Sequence, residues 1–334
     1  MLLKQKTTNN RINWLDQLKG FGILLMVYGH NFPVLEDYIY SFHMPLFFIV
    51  AGLFHPEKMD NAIIKKRAKQ ILIPYFLWSF FLFGFWLILG RKFGESALLD
   101  LSITENFIGI FFSQGDINYM NWGIPMWFLP TIFLTFLFFG FILKCKNKYL
   151  QHGVLVASII LGFLIANYYN LYLIWSLDVA LVSLFFYSFG FYTTDFIISK
   201  KIKNKYALLI LGVLHALVSI FLLQKIDMYR SIYSNEILFL VNSLVGFLFW
   251  ASFFKNFTQL KFLAFLGKNT IPILALQARA LSVIKLFFFL ILGISIFNFT
   301  EFEKVILTFA QLIIMYPILI FINRYIPILN GKNK

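Results

Sequence analysis

Lys19 and His30, in the first apolar segment, are the residues whose types and spacing are best suited to chemistry. Eleven steps along an α-helix return to nearly the same azimuth, about 16 Å further along the axis. A cation and an imidazole therefore share one face of a predicted helix, and Asp16 lies near that face one turn before Lys19. Ionisable groups in a membrane helix are costly and usually mark a functional path. The imidazole suits general-base catalysis, because its ordinary pKa lies near neutral pH.

The segment 40–52, YSFHMPLFFIVAG, is a second polar anomaly in an apolar region. Pro45 lacks a backbone donor and clashes with the carbonyl one turn before it, so we expect a helix kink that frees carbonyls near His43. Gly52 predicts a close approach of two helices. Two interpretations of His43 remain open at this point: a functional imidazole, or a structural one that satisfies the kinked backbone.

A cluster of basic residues, Lys65, Lys66, Arg67 and Lys69, precedes the predicted span at 71–90. Basic residues at that position usually fix topology or contact anionic lipids. They equally suit the phosphates of a cytoplasmic donor such as coenzyme A. Position alone favours the topological role.

Composition places the whole chain in the membrane class. Of its 334 residues, 60% are hydrophobic, 44 are Phe and only 13% are charged, about half the usual share. The net charge of +14 does not indicate a nucleic-acid partner, because the basic residues form short clusters between apolar segments. Cys145 is the sole cysteine, which excludes an intramolecular disulfide framework.

Ten apolar segments approach the ~20 residues that a bilayer requires, which predicts an all-α bundle of ten transmembrane helices. Their predicted limits are 13–32, 38–54, 71–90, 124–143, 150–167, 171–193, 206–224, 236–254, 270–292 and 304–322. Lys and Arg concentrate on one side, so both termini, about 1–12 and 323–334, are expected in the cytoplasm. We predict a single transmembrane domain over 1–334, without a separate extracellular catalytic domain, in the cytoplasmic (inner) cell membrane.

The longest predicted outer connection, about 91–123, alternates amide and aromatic side chains. Aromatic rings can stack on sugar faces and amides can bind hydroxyls, whereas an interfacial aromatic belt would have the same composition. Elsewhere, we expect solvation for His55 and a packing role for His215, and we expect Asp178 to pair with a membrane cation. No metal-ligand spacing, glycine-rich phosphate loop or serine nucleophile motif is present.

Several sequence blocks, taken together, resemble the acyltransferase-3 family of integral membrane acyltransferases. RINWLDQLKGFGILLMVYGH, YSFHMPLFFIVAG and KKRAKQILIPYFLW are similar to its opening motifs in content, order and spacing. WFLPTIF, DVALVSLFFYSFGFY and FLGKNTIPILALQ resemble later motifs, so the resemblance covers nearly the whole chain.

The resemblance implies transfer of an acyl group, commonly acetyl, from acyl-CoA to a hydroxyl of a cell-surface sugar, polysaccharide or lipid-linked glycan. No tightly bound cofactor, metal ion or nucleic acid is implied; the partners are acyl-CoA, the glycan acceptor and membrane lipids. The family's basic residue, x10 and histidine motif matches Lys19 and His30. Its Asp, second-helix His and loop Arg match Asp16, His43 and Arg67.

Roles follow from these matches together with the residue chemistry. His30 and His43 are the expected catalytic imidazoles, and Asp16 joins them as a matched acidic residue. A straight helix places Asp16 about 20 Å from His30, so we expect it to compensate Lys19 or Arg67 instead. The expected donor-binding residues are Lys19, Arg67 and Lys69, and the expected acceptor-binding residues are Trp127, Gln277 and Arg279.

Three departures from the family pattern affect these expectations. Lys19 stands where Arg is frequent, which keeps the charge but loses the planar fork. Ala51 replaces a frequent Ser. Gln277 occupies a position where many members have His, which removes a base from the ninth predicted span.

Several alternatives remain open from sequence. His30 or His43 could abstract the proton of the acceptor or carry the acyl group transiently. A transporter or flippase of a lipid-linked sugar fits the composition equally well, although it does not by itself predict the Lys19–His30 spacing. A third class is a non-catalytic membrane sensor, in which His30 and His43 would be pH-responsive packing residues.

Overall fold

The computed structural model describes residues 11–92, 96, 98–169, 173–199, 204–223, 225–256, 260–293 and 297–332. Most of the predicted N-terminal tail, parts of the 91–123 connection and residues 171, 172, 224, 333 and 334 lie outside these ranges. The described residues form helices, turns and one isolated antiparallel bridge between Asp227 and Ile232.

The α-helices follow one another along the described chain without a β-strand. They are α1 Asn13–Gly29, α2 Glu36–Tyr40, α3 His43–Leu53, α4 Asn61–Ile88, α5 Ile103–Phe112, α6 Ile117–Met120, α7 Phe128–Leu143, α8 Lys148–Leu164, α9 Leu177–Tyr192, α10 Thr194–Ser199, α11 Lys205–Phe221, α12 Glu236–Asn256, α13 Lys261–Gly267, α14 Thr270–Leu292 and α15 Glu301–Tyr325. The predicted all-α fold class is therefore confirmed for the described residues.

Seven helical stretches of the described chain are long and apolar enough to cross a membrane by length and composition. They are Asn61–Lys92, Ile124–Leu143, Lys148–Tyr168, Ile174–Tyr192, Glu236–Asn256, Thr270–Ile291 and Glu301–Tyr325. The other three predicted spans correspond to α1, α3 and α11, with 17, 11 and 17 residues. Several apolar helices make this a multi-pass membrane protein, whereas ten spans and cytoplasmic termini stay predictions.

Close backbone crossings place α1 and α3 inside the bundle. A Cβ added to Gly20 would overlap the carbonyl oxygen of Leu263, so α1 and α13 pack backbone to backbone. Gly52 approaches the carbonyl of Tyr187 in the same way, which confirms the close approach expected there. Small residues permit such crossings between membrane helices. Both helices that carry the candidate imidazoles are therefore held by tight contacts.

The kink expected at Pro45 is wrong, and the helix predicted to begin at residue 71 begins earlier. Pro45 does not kink a continuing helix, because α2 ends at Tyr40 and α3 begins at His43, which places Pro45 in the first turn of α3. There its missing N–H has no helical acceptor to lose. Pro74 lies inside α4, which begins at Asn61, ten residues before the predicted limit. The basic residues 65–69 therefore lie on this helix rather than before it.

Candidate active site

His30 and His43 lie at adjoining helix ends and form the same local hydrogen bond. His30 is the C-cap of α1, and its Nδ1 is 2.7 Å from the carbonyl oxygen of Met26. His43 is the first residue of α3, and its Nδ1 is 2.9 Å from the carbonyl oxygen of Ile39. A carbonyl oxygen only accepts, so Nδ1 donates in both rings and each Nε2 keeps its lone pair. Each neutral ring therefore presents Nε2 as a base or nucleophile.

The two imidazoles are close enough to interact electrostatically. Tyr40 packs beside them, with its ring centroid 5.2 Å from that of His43. Gly29 provides the room, because a Cβ there would lie 2.9 Å from Cε1 of Tyr40. His43 is buried, whereas His30 is partly accessible. The carbonyl of Ile39, at the end of α2, accepts from the backbone N–H of Phe42 at 3.4 Å as well as from His43.

Asn31 joins the His30 end of α1 to α14 and α15 through a buried amide network. Its Nδ2 lies 3.0 Å from Oγ1 of Thr308 and 2.9 Å from Oε1 of Gln311. Gln311 in turn donates Nε2 to the carbonyl oxygen of Gln277 at 3.0 Å. This network brings Gln277 into the neighbourhood of His30 through two hydrogen-bonded amides.

The Gln277 side chain itself is a buried amide without a partner. It is 1% exposed, and neither its Nε2 nor its Oε1 has a hydrogen-bond partner among the described residues. Oδ1 of Asn31 is buried and unpartnered in the same way. Because such groups cost stability and are rare in native proteins, they call for a functional explanation. Unused donors and acceptors beside an imidazole are suited to a hydroxyl-bearing ligand.

Sequence reasoning missed Asn31, Thr308 and Gln311 as members of this site. Thr308 and Gln311 lie three residues apart on α15, so they share one helix face. Their polarity in an apolar helix was a usable signal. Their partners are about 280 residues away in sequence, which the sequence alone does not reveal.

The Arg279 side chain hydrogen-bonds to the end of the 91–123 connection. Its Nη2 donates to the carbonyl oxygens of Trp122 at 3.1 Å and Asn121 at 3.4 Å. Its guanidinium also lies 5.7 Å from the centroid of the Phe85 ring. Arg279 therefore ties α14 to the end of the 91–123 connection.

Several polar groups of that connection bond within it or to helices packed against it. Trp122 is fully buried, and its Nε1 donates to the carbonyls of Asn106 and Tyr119 at 2.9 and 3.2 Å. Oδ1 of Asn121 accepts from Nε1 of Trp86 at 2.8 Å. A buried ring cannot serve as an open platform for sugar stacking, so Trp122 is excluded from that role. Trp127 is also buried, with its ring 6.0 Å from that of Phe128.

The opposite end of α1 carries a cluster of cations around one carboxylate. Oδ1 of Asp16 lies 2.9 Å from Nζ of Lys19, and Oδ2 lies 2.5 Å from Nε of Arg11. Asp16 thus compensates Lys19, one of its two expected partners, together with Arg11. Lys268 and Lys332 lie near enough to Lys19 for electrostatic repulsion between the positive charges. Burial, followed by the charges of Arg11 and Lys268, lowers the pKa of Lys332. Such an excess of positive charge is suited to phosphate groups.

Arg67 and Lys69 are placed differently from Lys19. The guanidinium of Arg67 lies 5.4 Å from the ring centroid of Phe136, and it interacts with the hydroxyl of Tyr187. Lys69 is exposed.

His55 is buried rather than solvated, with Nδ1 3.0 Å from the Tyr187 hydroxyl and aromatic rings around it. The expected solvation is wrong because Tyr187, Phe136 and Phe139, from distant segments, cover the His55 ring.

Acidic groups lie near the imidazole end in the 225–235 segment. Asp227 is close enough for its charge to act on Tyr40. Oδ2 of Asp227 lies 3.9 Å from Nε of Arg230. Burial raises the pKa of Asp227 to about 7, although Arg230 opposes the shift. Asp178 accepts a hydrogen bond from Ser231 instead of the expected ion pair with a membrane cation. In the described ranges, no group of three or more His, Cys, Asp or Glu side chains could hold a metal ion.

Comparison with known protein families gives one match. A family model described as an acyltransferase domain, Acyl_transf_3, matches residues 12–326. Searches of curated proteins and of solved structures found no significant match. The matched range includes both imidazoles, the amide network, and Asp16, Lys19 and Lys268 of the cation cluster.

Proposed function

The chain belongs to the acyltransferase-3 family and is a membrane acyltransferase, and from that premise we propose that it transfers an acetyl group from acetyl-CoA to a hydroxyl of a cell-surface glycan. The observation that carries the proposal is the arrangement of α1. A cation cluster lies at its first turns and an imidazole with a free Nε2 lies at its last. One helix thus joins a phosphate-binding end to a base.

The length of α1 suits the shape of the donor. Lys19 and His30 are eleven residues apart, about 16 Å in a helix. The pantetheine arm of coenzyme A is an extended chain that separates its phosphates from its thioester by a comparable distance. We assign the phosphates to Arg11, Lys19, Lys268 and Lys332, on the cytoplasmic side. Arg67 and Lys69 remain donor candidates at a second position on α4.

The acceptor belongs beside the amide network. Gln277 and Asn31 offer unused amide donors and acceptors, which suits the hydroxyl pattern of a sugar. Trp127 and Arg279 remain acceptor-binding candidates. Arg279 donates to the carbonyl of Trp122, at the end of the connection that precedes Trp127. A glycan at or across the membrane is therefore the acceptor class, in the cytoplasmic membrane of the cell.

In the proposed reaction, Nε2 of His30 removes the proton of the acceptor hydroxyl as its oxygen attacks the thioester carbonyl. The new C–O bond forms, the C–S bond breaks, and the coenzyme A thiolate takes the proton back from the imidazolium. The products are the O-acetyl ester and free coenzyme A. His43 packs beside this base, and its own Nε2 can orient the hydroxyl or carry the acyl group in a two-step variant.

Labelled acetyl-CoA tests this function with protein reconstituted in lipid bilayers containing a membrane glycan extract. We expect stoichiometric release of coenzyme A and label in an alkali-labile ester on the glycan. Movement of lipid-linked sugar without donor consumption would instead identify a flippase. Label that appears on protein without glycan present would identify the two-step route.

A further inference from the structure

A buried chain of polar side chains connects α11 and α12 to the turn that carries His43. Nδ1 of His215 lies 3.3 Å from Oδ1 of Asn242, and Nδ2 of Asn242 donates to Oγ of Ser219 at 2.8 Å. Oγ of Ser219 lies 2.8 Å from Oγ of Ser41, which donates to the carbonyl of Tyr38 at 2.8 Å. Each of the four linking side chains is at most 3% exposed.

Three of the four hydrogen bonds of this chain have a defined direction. Oδ1 of Asn242 only accepts, so Nδ1 of His215 donates and its Nε2 keeps the lone pair. The carbonyl of Tyr38 only accepts, so the Ser41 hydroxyl donates to it. The Ser219 hydroxyl then donates to Ser41 or to the carbonyl of His215, 2.7 Å away. One tautomer of His215 is therefore coupled to the position of Ser41.

The chain ends on the backbone that holds the His43 ring. His43 donates Nδ1–H to the carbonyl of Ile39, which lies between Tyr38 and Ser41. The carbonyl of Ser41 accepts from Oγ of Ser243 on α12 at 2.6 Å. The rings of Tyr38 and Phe42 also pack on His215, at centroid distances of 5.0 and 4.9 Å.

We propose that His215 is a positioning residue that acts through Asn242, Ser219 and Ser41 to fix the orientation and tautomer of the His43 imidazole. The proposal rests on the acyl transfer proposed above. His215 touches neither substrate nor reacting atoms, and its effect reaches the reaction through the 38–43 turn.

Packing alone does not account for an imidazole at this position. Nε2 of His215 is buried and has no partner in the described part of the chain. A phenyl ring would fill similar volume without leaving a polar atom unsatisfied. The partner helix also accommodates this ring, because a Cβ on Gly246 would lie 2.7 Å from Nε2 of His215.

The first test compares His215→Phe with His152→Phe, the same change at an exposed imidazole. We expect His215→Phe to lower kcat about 10- to 100-fold, as small misplacements of a reacting group do, with both KM values within about twofold. His152→Phe leaves kcat unchanged. A normal kcat in His215→Phe would overturn the proposal, as would an effect confined to KM. Ser219→Ala removes a middle link and replaces His215→Phe if that variant fails to fold.

A second test uses the contact between Gly246 and His215. Gly246→Ala displaces the imidazole and should lower kcat in the wild-type background. In a His215→Ala background the same substitution has no ring to displace and should cause no further loss. An equal loss in both backgrounds would show that Gly246 acts independently of His215 and would contradict the proposal.

A third test does not depend on activity. Histidine-selective ¹⁵N labelling of protein in nanodiscs, with His43 assigned by its loss in His43→Gln, reports its tautomer. We expect the Nδ1–H form in the wild type and a mixture in His215→Phe. If His215→Phe shows this mixture of His43 tautomers but the wild type transfers no acyl group, the proposed function fails and the positioning role stands. An unchanged His43 signal in an active protein would overturn the positioning role alone.

Discussion

Asn31 donates its side-chain amide to Gln311 over 2.9 Å, which ties the residue after His30 to a helix 280 positions later in the chain. Gln311 continues this link to the backbone of Gln277. The base proposed for catalysis therefore neighbours amides that are partly bonded and partly unused. The unused amide atoms, on Gln277 and Asn31, are the groups assigned to the acceptor in the proposed function.

Gln277→Leu should stabilise the protein while weakening acceptor use. The substitution removes two buried, unpartnered polar atoms, whose burial costs about 1–3 kcal/mol. The thermal unfolding midpoint in detergent should rise, while kcat/KM for the glycan falls and donor KM stays unchanged. A lower midpoint, or normal acceptor kinetics, would contradict the assignment of Gln277 to the acceptor site.

Gln311→Leu is the matched control on the same network. The Gln311 side chain is satisfied, because it accepts from Asn31 and donates to the carbonyl of Gln277. Its removal takes two buried hydrogen bonds from the network, so the unfolding midpoint should fall. A higher midpoint for Gln277→Leu and a lower one for Gln311→Leu would show that the Gln277 amide is unused in the fold and that the Gln311 amide is structural.

Lys268→Ala and Lys332→Ala should each raise the donor KM without changing the acceptor KM. Both lysines border the cluster of Lys19 and Arg11, where positive charge exceeds the single carboxylate of Asp16. Initial rates with acetyl-CoA and its dephospho analogue measure the effect. A variant of the lysine that holds the 3′-phosphate should lose its defect when that phosphate is absent.

Arg67→Ala and Lys69→Ala test the second donor position on α4, where Lys69 is exposed. If Lys69→Ala and Arg67→Ala leave the donor KM unchanged, the donor phosphates occupy the α1 end alone. Donor KM values that rise only in these two variants would move the donor site to α4.

Local pattern accounts for much of the fold, because hydrophobic length predicts helices directly. The Lys19–His30 spacing also predicts their placement at opposite ends of α1, since a helix repeat is local. Long-range partners were not predictable. His55 is buried because Tyr187 and Phe136 surround it, and Arg279 donates to the carbonyls of Trp122 and Asn121. These contacts join distant segments, which leave no periodic signal.

Asp227→Asn should change the pH dependence of stability. Burial raises the pKa of Asp227 from its model-compound value of 3.8 to about 7 in the folded protein. The stability that its protonated form contributes is present below about pH 4 and is lost as pH rises toward 7. The variant should therefore unfold at a higher temperature than wild type at pH 8, with the difference shrinking toward pH 4. Thermal curves that stay parallel across this range would contradict the shift.

Gly20→Ala should destabilise the protein at the α1–α13 crossing. Its Cβ would overlap the carbonyl oxygen of Leu263, and overpacking of this kind costs about 1–3 kcal/mol. Gly84→Ala is the control, because a Cβ there has no atom within 4 Å in the described structure. The control should be neutral or slightly stabilising, since Ala favours helix over Gly by about 1 kcal/mol. Equal unfolding midpoints for the two variants would argue against the tight crossing.

The central claim is that Nε2 of His30 is the base for acyl transfer, and His30→Gln tests it most directly. Labelled acetyl transfer is measured at matched protein abundance, with His152→Gln as the control. Loss of a general base commonly costs at least about 100-fold in rate, so His30→Gln should fall by that factor while the control keeps wild-type activity. Retention of more than about a tenth of the wild-type rate by His30→Gln would contradict the claim.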